Sequence, residues 1–320
     1  LDCLAKGYLG GTAMEWAKCT QFLRELDPYN LTMQWIDNTY TPTNYFVYGK
    51  MVDLIATDPY VLIRKTGVTP LTLVKRATKS AYFACSPRSL FIILYAAGAN
   101  PSGGGRFLTG EEEEITAYYA VGEGAKGIWY YGHCCYAEEG RCGIDAPQLW
   151  ERICKFNKDL ALVGPYVSRS HPFPLKISSN NSNVYLSTLI QGNDNLVVVI
   201  ANENYKSTYE GFSYTGIEGL EVEIEIPKWL NLREGFLIKD GQSNRIPFEV
   251  KGSSVILRIK EVGTGCFIVL TSSGEPKVDK IKEEVKSYYK QKEEISLKDK
   301  KEKQGSEKEI GKQLIVHYKM

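Results

Sequence analysis

Two aspartates that follow apolar, strand-like runs are the first candidates for chemistry in this chain. Asp37 ends the run LTMQWID, and Asp58 comes directly after MVDLIAT. Two carboxylates brought to one cleft can act as general acid, general base or nucleophile. A structural role competes at each position. Asp58 precedes Pro59, which is typical of an Asx turn, and Asp37 could cap the loop that contains Asn38.

Aromatic side chains lie close to these aspartates in sequence and at the end of a later apolar run. They are Trp35, Tyr60, Trp129, Tyr130 and Tyr131. Flat aromatic faces can bind the C–H faces of pyranose rings. Alternation along a strand sends Trp129 and Tyr131 to one face and Tyr130 to the other. We therefore expect only part of this set to line a pocket, and the remainder to pack in the core.

Three further polar residues are candidates for ligand binding: Asn100, Arg106 and His133. The segment 101–106 is rich in glycine but lacks the G-K-[ST] ending of a phosphate loop. We predict a mobile loop there, with Arg106 over the site. His133 could bind a ligand hydroxyl or be an exposed loop residue.

The eight cysteines are too sparse for a disulfide scaffold. Three of them, Cys134, Cys135 and Cys142, share a short segment with His133, which allows a zinc loop, a local disulfide to Cys142, or neither. The other five sit alone and are predicted to be small core residues: Cys3, Cys19, Cys85, Cys154 and Cys266. The compartment stays open, with an extracellular location favoured over a cytoplasmic one.

The overall composition excludes several classes of protein. Lys and Arg number 39 against 38 Asp and Glu, so no global basic field indicates a nucleic-acid partner. The mean hydropathy is −0.26, and no apolar run approaches the roughly 18 residues of a membrane span. No nucleophile elbow, zinc-protease motif or dinucleotide fingerprint is present. We expect no membrane contact, no cofactor and no metal.

The first half of the chain alternates strand-like runs with helical patterns. The predicted strands are Leu31–Asp37, Met51–Thr57, Ser89–Ala97 and Ala125–Tyr131. The predicted helices are Thr12–Leu26, Thr69–Ser80, one capped by Thr109 and Glu112, and one that starts near Pro147 and ends at Gly164-Pro165. Four βα units in series predict a parallel sheet with right-handed crossovers.

The second half changes to short strands separated by turn residues. These strands are Val184–Ile190, Leu196–Asn202, Thr208–Tyr214, Leu220–Ile226, Gly235–Lys239, Ile246–Val250, Val255–Ile259 and Cys266–Thr271. They favour an antiparallel β-sandwich. We predict three regions: a βα region over 1–166, a sandwich over 171–273 and a charged tail over 274–320. One amphipathic helix around Ile281, Val285 and Tyr288 is expected in the tail.

The order of these elements resembles the second half of a (β/α)8-barrel glycoside hydrolase of the β-galactosidase-like kind. The segments that carry the resemblance are LRELDPYNLTMQWID, YGKMVDLIATDPY, SLFIILYAAGA and GAKGIWYY, and the likeness covers about residues 15–270. It implies a partial barrel of about four βα units, strands five to eight, followed by an all-β antiparallel sandwich. A complete barrel takes about 250 residues. With its first residue Leu1, we expect the chain to start inside a longer gene.

The resemblance places the active site at the carboxyl ends of the barrel strands. Their positions at strand ends make Asp58 the candidate general acid or nucleophile, and Asp37 the partner carboxylate or sugar ligand. The general acid of the resembled family follows the fourth strand, which this chain is expected to lack. Trp35, Tyr60, Asn100, Arg106, Tyr131 and His133 would bind substrate. The family's nucleophile follows the seventh strand, where this chain reads AAGAN and has no carboxylate.

The predicted function is therefore that of a glycoside hydrolase-like protein that acts on or binds carbohydrate. The missing first half of the barrel, or a second copy of the chain, would cover the open sheet. The alternative is a non-catalytic carbohydrate-binding or structural protein. A metal-dependent hydrolase that uses the His133 and cysteine cluster is a third hypothesis.

Overall fold

The computed structural model describes residues 12–36, 42–98, 105–132 and 145–275, together with four helical positions at 283, 286, 287 and 290. The chain divides into two compact units, 1–276 and 277–320. The residues Ile281, Val285 and Tyr288, around which a tail helix is predicted, lie outside the described residues, but the four described positions between 283 and 290 are helical, as predicted. The fold below is that of the first unit.

The first part of this unit alternates helices with parallel strands. Its elements are α1 (Thr12–Leu26), β1 (Met33–Ile36), α2 (Pro42–Tyr48), β2 (Leu54–Thr57), β3 (Ile63–Arg64), β4 (Gly67–Val68), α3 (Thr72–Cys85), β5 (Ser89–Tyr95), α4 (Gly110–Gly122), β6 (Gly127–Tyr131) and α5 (Pro147–Val167). Strands β1, β2, β5 and β6 form one sheet in that order, and every neighbouring pair is parallel. The predicted four-stranded parallel sheet is thus confirmed.

The two faces of the parallel sheet differ in exposure. The register aligns Ile36, Thr57 and Ile92 on one face, and all three are buried. The opposite face, here called the open face, carries Met33, Trp35, Phe91, Trp129 and Tyr131. Met33 is 39% exposed and Trp129 is 40% exposed. Ala56, Ile93 and Tyr95 on the same face are buried, so the open face is exposed only in part. Partial exposure is still unusual, since parallel sheets are normally covered on both faces.

The helix boundaries follow local capping chemistry. Thr109 Oγ1 accepts the Glu112 N–H at 3.2 Å, and the Glu112 carboxylate accepts the Thr109 N–H at 2.8 Å, which confirms the predicted capping box of α4. The predicted end of α5 at Gly164-Pro165 is wrong, because the helix continues to Val167. Pro165 cannot donate to the carbonyl oxygen of Ala161, but the helix continues past it for two residues, to Val167. Helix α2 has no counterpart among the predicted helices.

The second part of the unit consists of antiparallel strands. They are β7 (His171–Pro172), β8 (Ile177–Ser179), β9 (Val184–Gln191), β10 (Asn195–Asn202), β11 (Tyr205–Ser207), β12 (Phe212–Tyr214), β13 (Ile217–Glu225), β14 (Glu234–Lys239), β15 (Gln242–Arg245), β16 (Phe248–Lys251), β17 (Ser254–Val262) and β18 (Gly265–Thr271). The predicted strand Thr208–Tyr214 is shortened to β12, because Thr208 and Gly211 close a turn through a 2.9 Å backbone hydrogen bond.

Most of these strands belong to two antiparallel sheets that share one apolar core. One sheet has the order β15-β14-β18-β10-β9-β7, and the other has the order β16-β17-β13-β8. Buried side chains from both sheets, such as Val198 and Ile268 in the first and Val222 and Leu257 in the second, belong to the same cluster. Burying side chains of this size stabilises the fold by about 1.5–3 kcal/mol each.

The six-stranded sheet is also covered on its second face. Phe267 of β18 contacts Tyr118 of α4 and Phe156 of α5, with ring centroids 4.9 and 5.9 Å apart. Every residue of β10 and of β18 is buried as a result. Helices α4 and α5 therefore pack between the antiparallel part and the parallel sheet. The predicted division into domains at 166 and 171 stays a prediction.

The described cysteines divide into two classes. Cys85 and Cys266 are buried free thiols, as predicted, and burial raises the pKa of each to about 12. Cys19 and Cys154 are exposed, so the prediction that they are core residues is wrong. Both lie on solvent-facing positions of α1 and α5. Cys3, Cys134, Cys135 and Cys142 lie outside the described residues.

Candidate functional site

Four aromatic side chains meet near the carboxyl ends of the parallel strands, and we call them the aromatic cluster: Trp35, Tyr60, Tyr95 and Tyr131. The Tyr60 ring centroid lies 5.1 Å from that of Tyr95 and 5.4 Å from that of Tyr131. Tyr95 and Tyr131 are stacked with centroids 6.2 Å apart, and Trp35 lies 6.1 Å from Tyr131. Three of the four were predicted from the sequence to bind substrate.

Strand register explains why these rings converge. Tyr95 ends β5 and Tyr131 ends β6, and the two residues are direct partners in the parallel pairing. Side chains of paired residues in a parallel sheet point to the same face. Trp35 of β1 pairs with Ala56 of β2, and Ala56 pairs with Phe91 of β5. The Trp35 side chain therefore points to the same face. The sheet itself therefore positions three of the four rings.

Tyr60 reaches the cluster through a tight turn after β2. The Tyr60 N–H donates to the carbonyl oxygen of Asp58 at 2.7 Å across Pro59. A hydrogen bond from residue i+2 to residue i is that of a γ-turn, and the proline fixes its central φ. The turn predicted at Asp58-Pro59 is thus present, closed here by the backbone carbonyl.

Asp58 is a buried carboxyl at this edge of the sheet, with 6% of its surface exposed. It directly follows Thr57, the last residue of β2, whose hydroxyl lies 2.8 Å from the Tyr45 hydroxyl. Tyr45 is itself buried on α2. The position matches the expectation that Asp58 stands at a strand end, one turn away from the aromatic cluster.

The alternation of the β6 aromatics also follows the prediction. Trp129 packs edge-to-face on Phe91 of the same face, with centroids 5.8 Å apart. The Tyr130 hydroxyl donates to Asn157 of α5 at 3.4 Å, on the helix-covered side. Trp129 and Tyr130 are thus not brought to the aromatic cluster.

Arg106 has partners that account for its guanidinium. It makes a bidentate pair with Glu112, at 2.6 and 2.8 Å, and donates to the carbonyl oxygens of Phe107 and Thr208. These contacts tie the start of α4 to the antiparallel part. Asp37, Asn100 and His133 lie outside the described residues, so their predicted roles stay predictions.

Tyr95 is the member of the cluster that the sequence interpretation missed. It ends the apolar run SLFIILY, where its place at a strand end was the available signal. Its hydroxyl donates to the Gly98 carbonyl at 3.2 Å, which fixes the ring. The Trp35 indole N–H is buried and, among the described residues, has no hydrogen-bond partner. An unsatisfied buried donor is costly and marks a position where a ligand acceptor could be bound.

Two other features, a metal site and a membrane-spanning helix, were considered for the described residues. No group of three or more His, Cys, Asp or Glu side chains in these ranges could hold a metal ion. Within the same ranges, no helix combines the length and apolar character needed to cross a bilayer.

Comparison with known proteins gives matches only at the level of solved structures. No family model and no curated protein matches the chain. A Paenibacillus cycloisomaltooligosaccharide glucanotransferase is 8% identical with a TM-score of 0.48, and the alignment covers 80% of this chain and 65% of that one. An α-L-fucosidase of Bacteroides thetaiotaomicron is 13% identical with a TM-score of 0.43, covering 82% and 53%. A Thermotoga maritima α-L-arabinofuranosidase is 10% identical with a TM-score of 0.35, and the alignment covers 83% of this chain and 64% of that one.

All three solved structures are enzymes named for carbohydrate chemistry. The chain spans between 53% and 65% of their length. At these identities and TM-scores the likeness carries no argument about what this chain does. The function must therefore be argued from the aromatic cluster and Asp58.

Proposed function

We propose that this chain belongs to a glycoside hydrolase-like protein and that it binds carbohydrate at the carboxyl edge of its parallel sheet. The observation that carries the proposal is the aromatic cluster at the strand ends, in which Tyr60, Tyr95 and Tyr131 lie 5.1–6.2 Å from one another and Trp35 lies 6.1 Å from Tyr131. Parallel α/β folds bind ligands at this edge of the sheet. Ring faces next to a buried carboxyl suit a ligand with both apolar and hydroxylated faces.

The polar groups beside the rings suit the hydroxyl groups of a sugar. The Trp35 indole N–H is a buried donor without a partner among the described residues. Asp58 brings carboxylate oxygens to the same strand ends. A site that satisfies ligand hydroxyls with such groups rejects analogues that lack them, because the buried partners would then stay unpaired.

The finer assignment follows the sequence resemblance. In this proposal the parallel sheet is strands five to eight of a β-galactosidase-like barrel, and the two antiparallel sheets form a β-sandwich. Asp58 acts as general acid or nucleophile, and Asp37 is its partner carboxylate. Asn100 and His133 bind sugar hydroxyls. Two such carboxylates lie about 5–5.5 Å apart in retaining enzymes and about 6.5–9.5 Å apart in inverting enzymes.

The experiment combines hydrolysis with direct binding on the full chain. A panel of 4-nitrophenyl glycosides measures hydrolysis, and calorimetry with the matching free sugars measures affinity. We expect Asp58→Asn to lower the hydrolysis rate by at least about a hundredfold. Trp35→Phe, which keeps a ring but removes the N–H, should weaken sugar binding by about 3–10-fold.

The control is Glu218→Gln, an exposed carboxylate of β13, which should leave both measurements unchanged. Hydrolysis that persists in Asp58→Asn would remove Asp58 from the catalytic role. A wild-type chain that binds none of the sugars would contradict the proposed function as a whole.

A second candidate is a carbohydrate-binding protein without catalysis. The observation that favours it is the segment AAGAN at 96–100, which has no carboxylate where the resembled family carries its nucleophile. The same experiment separates the two candidates. Sugar binding that depends on Trp35, together with no hydrolysis of any glycoside, would select the binding protein.

A further inference from the structure

The surfaces through which α4 and α5 pack on each other, on β6 and on the antiparallel part contain an unusual number of buried carboxyl groups, and we call this region the junction. Glu112, Glu113, Glu114 and Asp159 are 0%, 2%, 5% and 1% exposed. Buried carboxylates are normally paired with a cation. Two of the four carboxyl groups bind a guanidinium group: Arg106 pairs with Glu112, and Arg152 pairs with Glu114.

Glu113 is the carboxyl that the junction leaves without compensation. Within the described part of the chain, neither of its oxygens has a hydrogen-bond partner. The void beside it, lined by Tyr130, Ile153 and Phe156 among others, has no room for a water molecule. Burial therefore raises the pKa of Glu113 to about 8, and the neighbouring charge of Glu112 adds to the shift.

Asp159 is the second carboxyl without a cation among the described residues. Its oxygens accept the backbone N–H groups of Asp240, at 3.2 Å, and Gly241, at 2.5 Å. Both donors lie in the turn between β14 and β15, where φ is 55° and 74°. These two bonds fasten α5 to the antiparallel part. Burial raises the pKa of Asp159 to about 7 against the lowering effect of the backbone donors.

The groups that face these two carboxyls are mostly acidic or neutral. They are Glu112, Glu114 and Tyr118 of α4, Tyr130 of β6, Arg152 of α5, Lys239 and Asp240 at the β14–β15 hairpin, and Cys266 of β18. Arg152 is already bound to Glu114, with a 2.8 Å contact from its Nε, and Thr264 also donates to that carboxylate. Full ionisation would therefore leave the junction with an excess of negative charge.

We propose that the junction is a proton-dependent joint, in which a protonated Glu113 allows α4 to pack closely on α5 and β6, a protonated Asp159 allows α5 to pack on the β14–β15 hairpin, and both packings loosen as the solution becomes alkaline. The joint is independent of the proposed carbohydrate site. It couples the packing of α4 and α5 on their neighbours to proton concentration near neutral pH.

The direction of the effect follows from proton binding. A carboxyl whose folded-state pKa lies above its usual 4.5 keeps its proton in the folded chain while the unfolded chain loses it. Stability therefore falls as the pH rises from about 4.5 towards about 8, and it levels off above that value. Asp159 acts in the same direction over a lower and narrower window, up to about pH 7.

The experiment is thermal unfolding of the full chain at several pH values. For wild-type protein we expect Tm to fall between about pH 5 and about pH 8.5. Glu113→Gln, an uncharged side chain of nearly the same shape, should have a Tm about 5–15 °C above wild type at the alkaline end and close to it at the acidic end. Hydrogen exchange in α4 should rise with pH in wild type and much less in the variant.

Glu111→Gln, in the same helical turn but partly exposed, is the matched control and should follow the wild-type profile. Asp159→Asn provides a second test and should flatten the lower part of the profile. A wild-type Tm that is constant across this pH range would overturn the proposal, as would a Glu113→Gln profile parallel to that of wild type.

Discussion

Arg106 shows how a single residue can join segments that lie far apart in sequence. Its guanidinium binds Glu112, six residues away, and the carbonyl oxygen of Thr208, 102 residues away. The sequence placed Arg106 near the predicted site as a loop residue, and nothing local to it identifies Thr208 as a partner. The planar, five-donor group satisfies acceptors on α4 and on the antiparallel part at once.

Removing this guanidinium should destabilise the fold strongly. Arg106→Ala leaves the Glu112 carboxylate buried without its cation, and we expect the free energy of unfolding to fall by about 3 kcal/mol. Arg106→Lys keeps the charge but loses the bidentate geometry, so it should recover only part of that loss. Urea denaturation followed by circular dichroism measures both variants.

The matched control for Arg106 is Arg258→Ala. Arg258 also contacts two carboxylates, Glu221 and Glu249, but its side chain is 56% exposed. Exposed ion pairs contribute little, so the stability of this variant should stay close to wild type. Equal losses for the two arginines would contradict the importance of the buried pair.

At the scale of elements, the features that were predicted correctly are those that depend on residues close together in sequence. Period-two alternation in β13 places Leu220, Val222 and Ile224 inside and the intervening glutamates outside, as the structure has them. The Thr109–Glu112 capping box also has a local cause. The end of α5 was predicted too early, and the existence of α2 and the pairing of β10 with β18 were not predicted, because all three depend on tertiary packing.

In the candidate site as well, the residues with a local signal in the sequence were predicted and the others were not. Trp35, Tyr60 and Tyr131 were found because strand ends can be recognised in the sequence. Tyr95 was missed because an unbroken apolar run gives no indication of which face each residue occupies. The contacts among the four rings depend on register, which the sequence does not specify.

Two glycines offer a test of how closely the helices pack on the sheet. A Cβ atom at Gly265 would lie 2.5 Å from the Tyr118 ring and 2.5 Å from the Ile200 carbonyl oxygen. We expect Gly265→Ala to lower the free energy of unfolding by about 2–3 kcal/mol, since α4 would have to move. A Cβ at Gly164 in α5 meets no atom within 4 Å, so Gly164→Ala should raise stability by about 0.5–1 kcal/mol.

Denaturant unfolding of both variants under the same conditions measures the two effects. The pair shares one chemical change, glycine to alanine, and differs only in the space around the added methyl group. Opposite signs are expected. A neutral effect at Gly265 would mean that α4 lies further from β18 than the structure has it.

At the scale of the whole unit, the uncovered apolar surface is its most unusual property. The open face adjoins β1, a strand at the edge of the parallel sheet. On the other face of the same edge, helix α1 contacts β1 through the Trp16–Gln34 hydrogen bond and has Phe22 and Leu26 exposed by 56% and 63%. Exposed apolar patches next to an edge strand are sites of protein–protein contact.

We therefore expect the purified chain to self-associate. Light scattering should give a mass above the 36.0 kDa of one chain, and Phe22→Glu combined with Leu26→Glu should reduce that mass. Lys18→Glu, an exposed polar change on the same helix, is the control and should not. A monodisperse monomer for the wild-type chain would show that the apolar surface is covered within one copy.

The pairing of β10 with β18 also determines when this protein can finish folding on the ribosome. Residues 195–201 of β10 pair with residues 265–271 of β18, and β18 in turn carries the ring of Phe267 that packs on α4 and α5. Until Thr271 has left the ribosomal exit tunnel, the apolar sides of α4 and α5 that pack on β18 stay without this contact. Such long-range closure is slow, so the apolar sides of these helices are exposed to chaperones and to aggregation until β18 has been made.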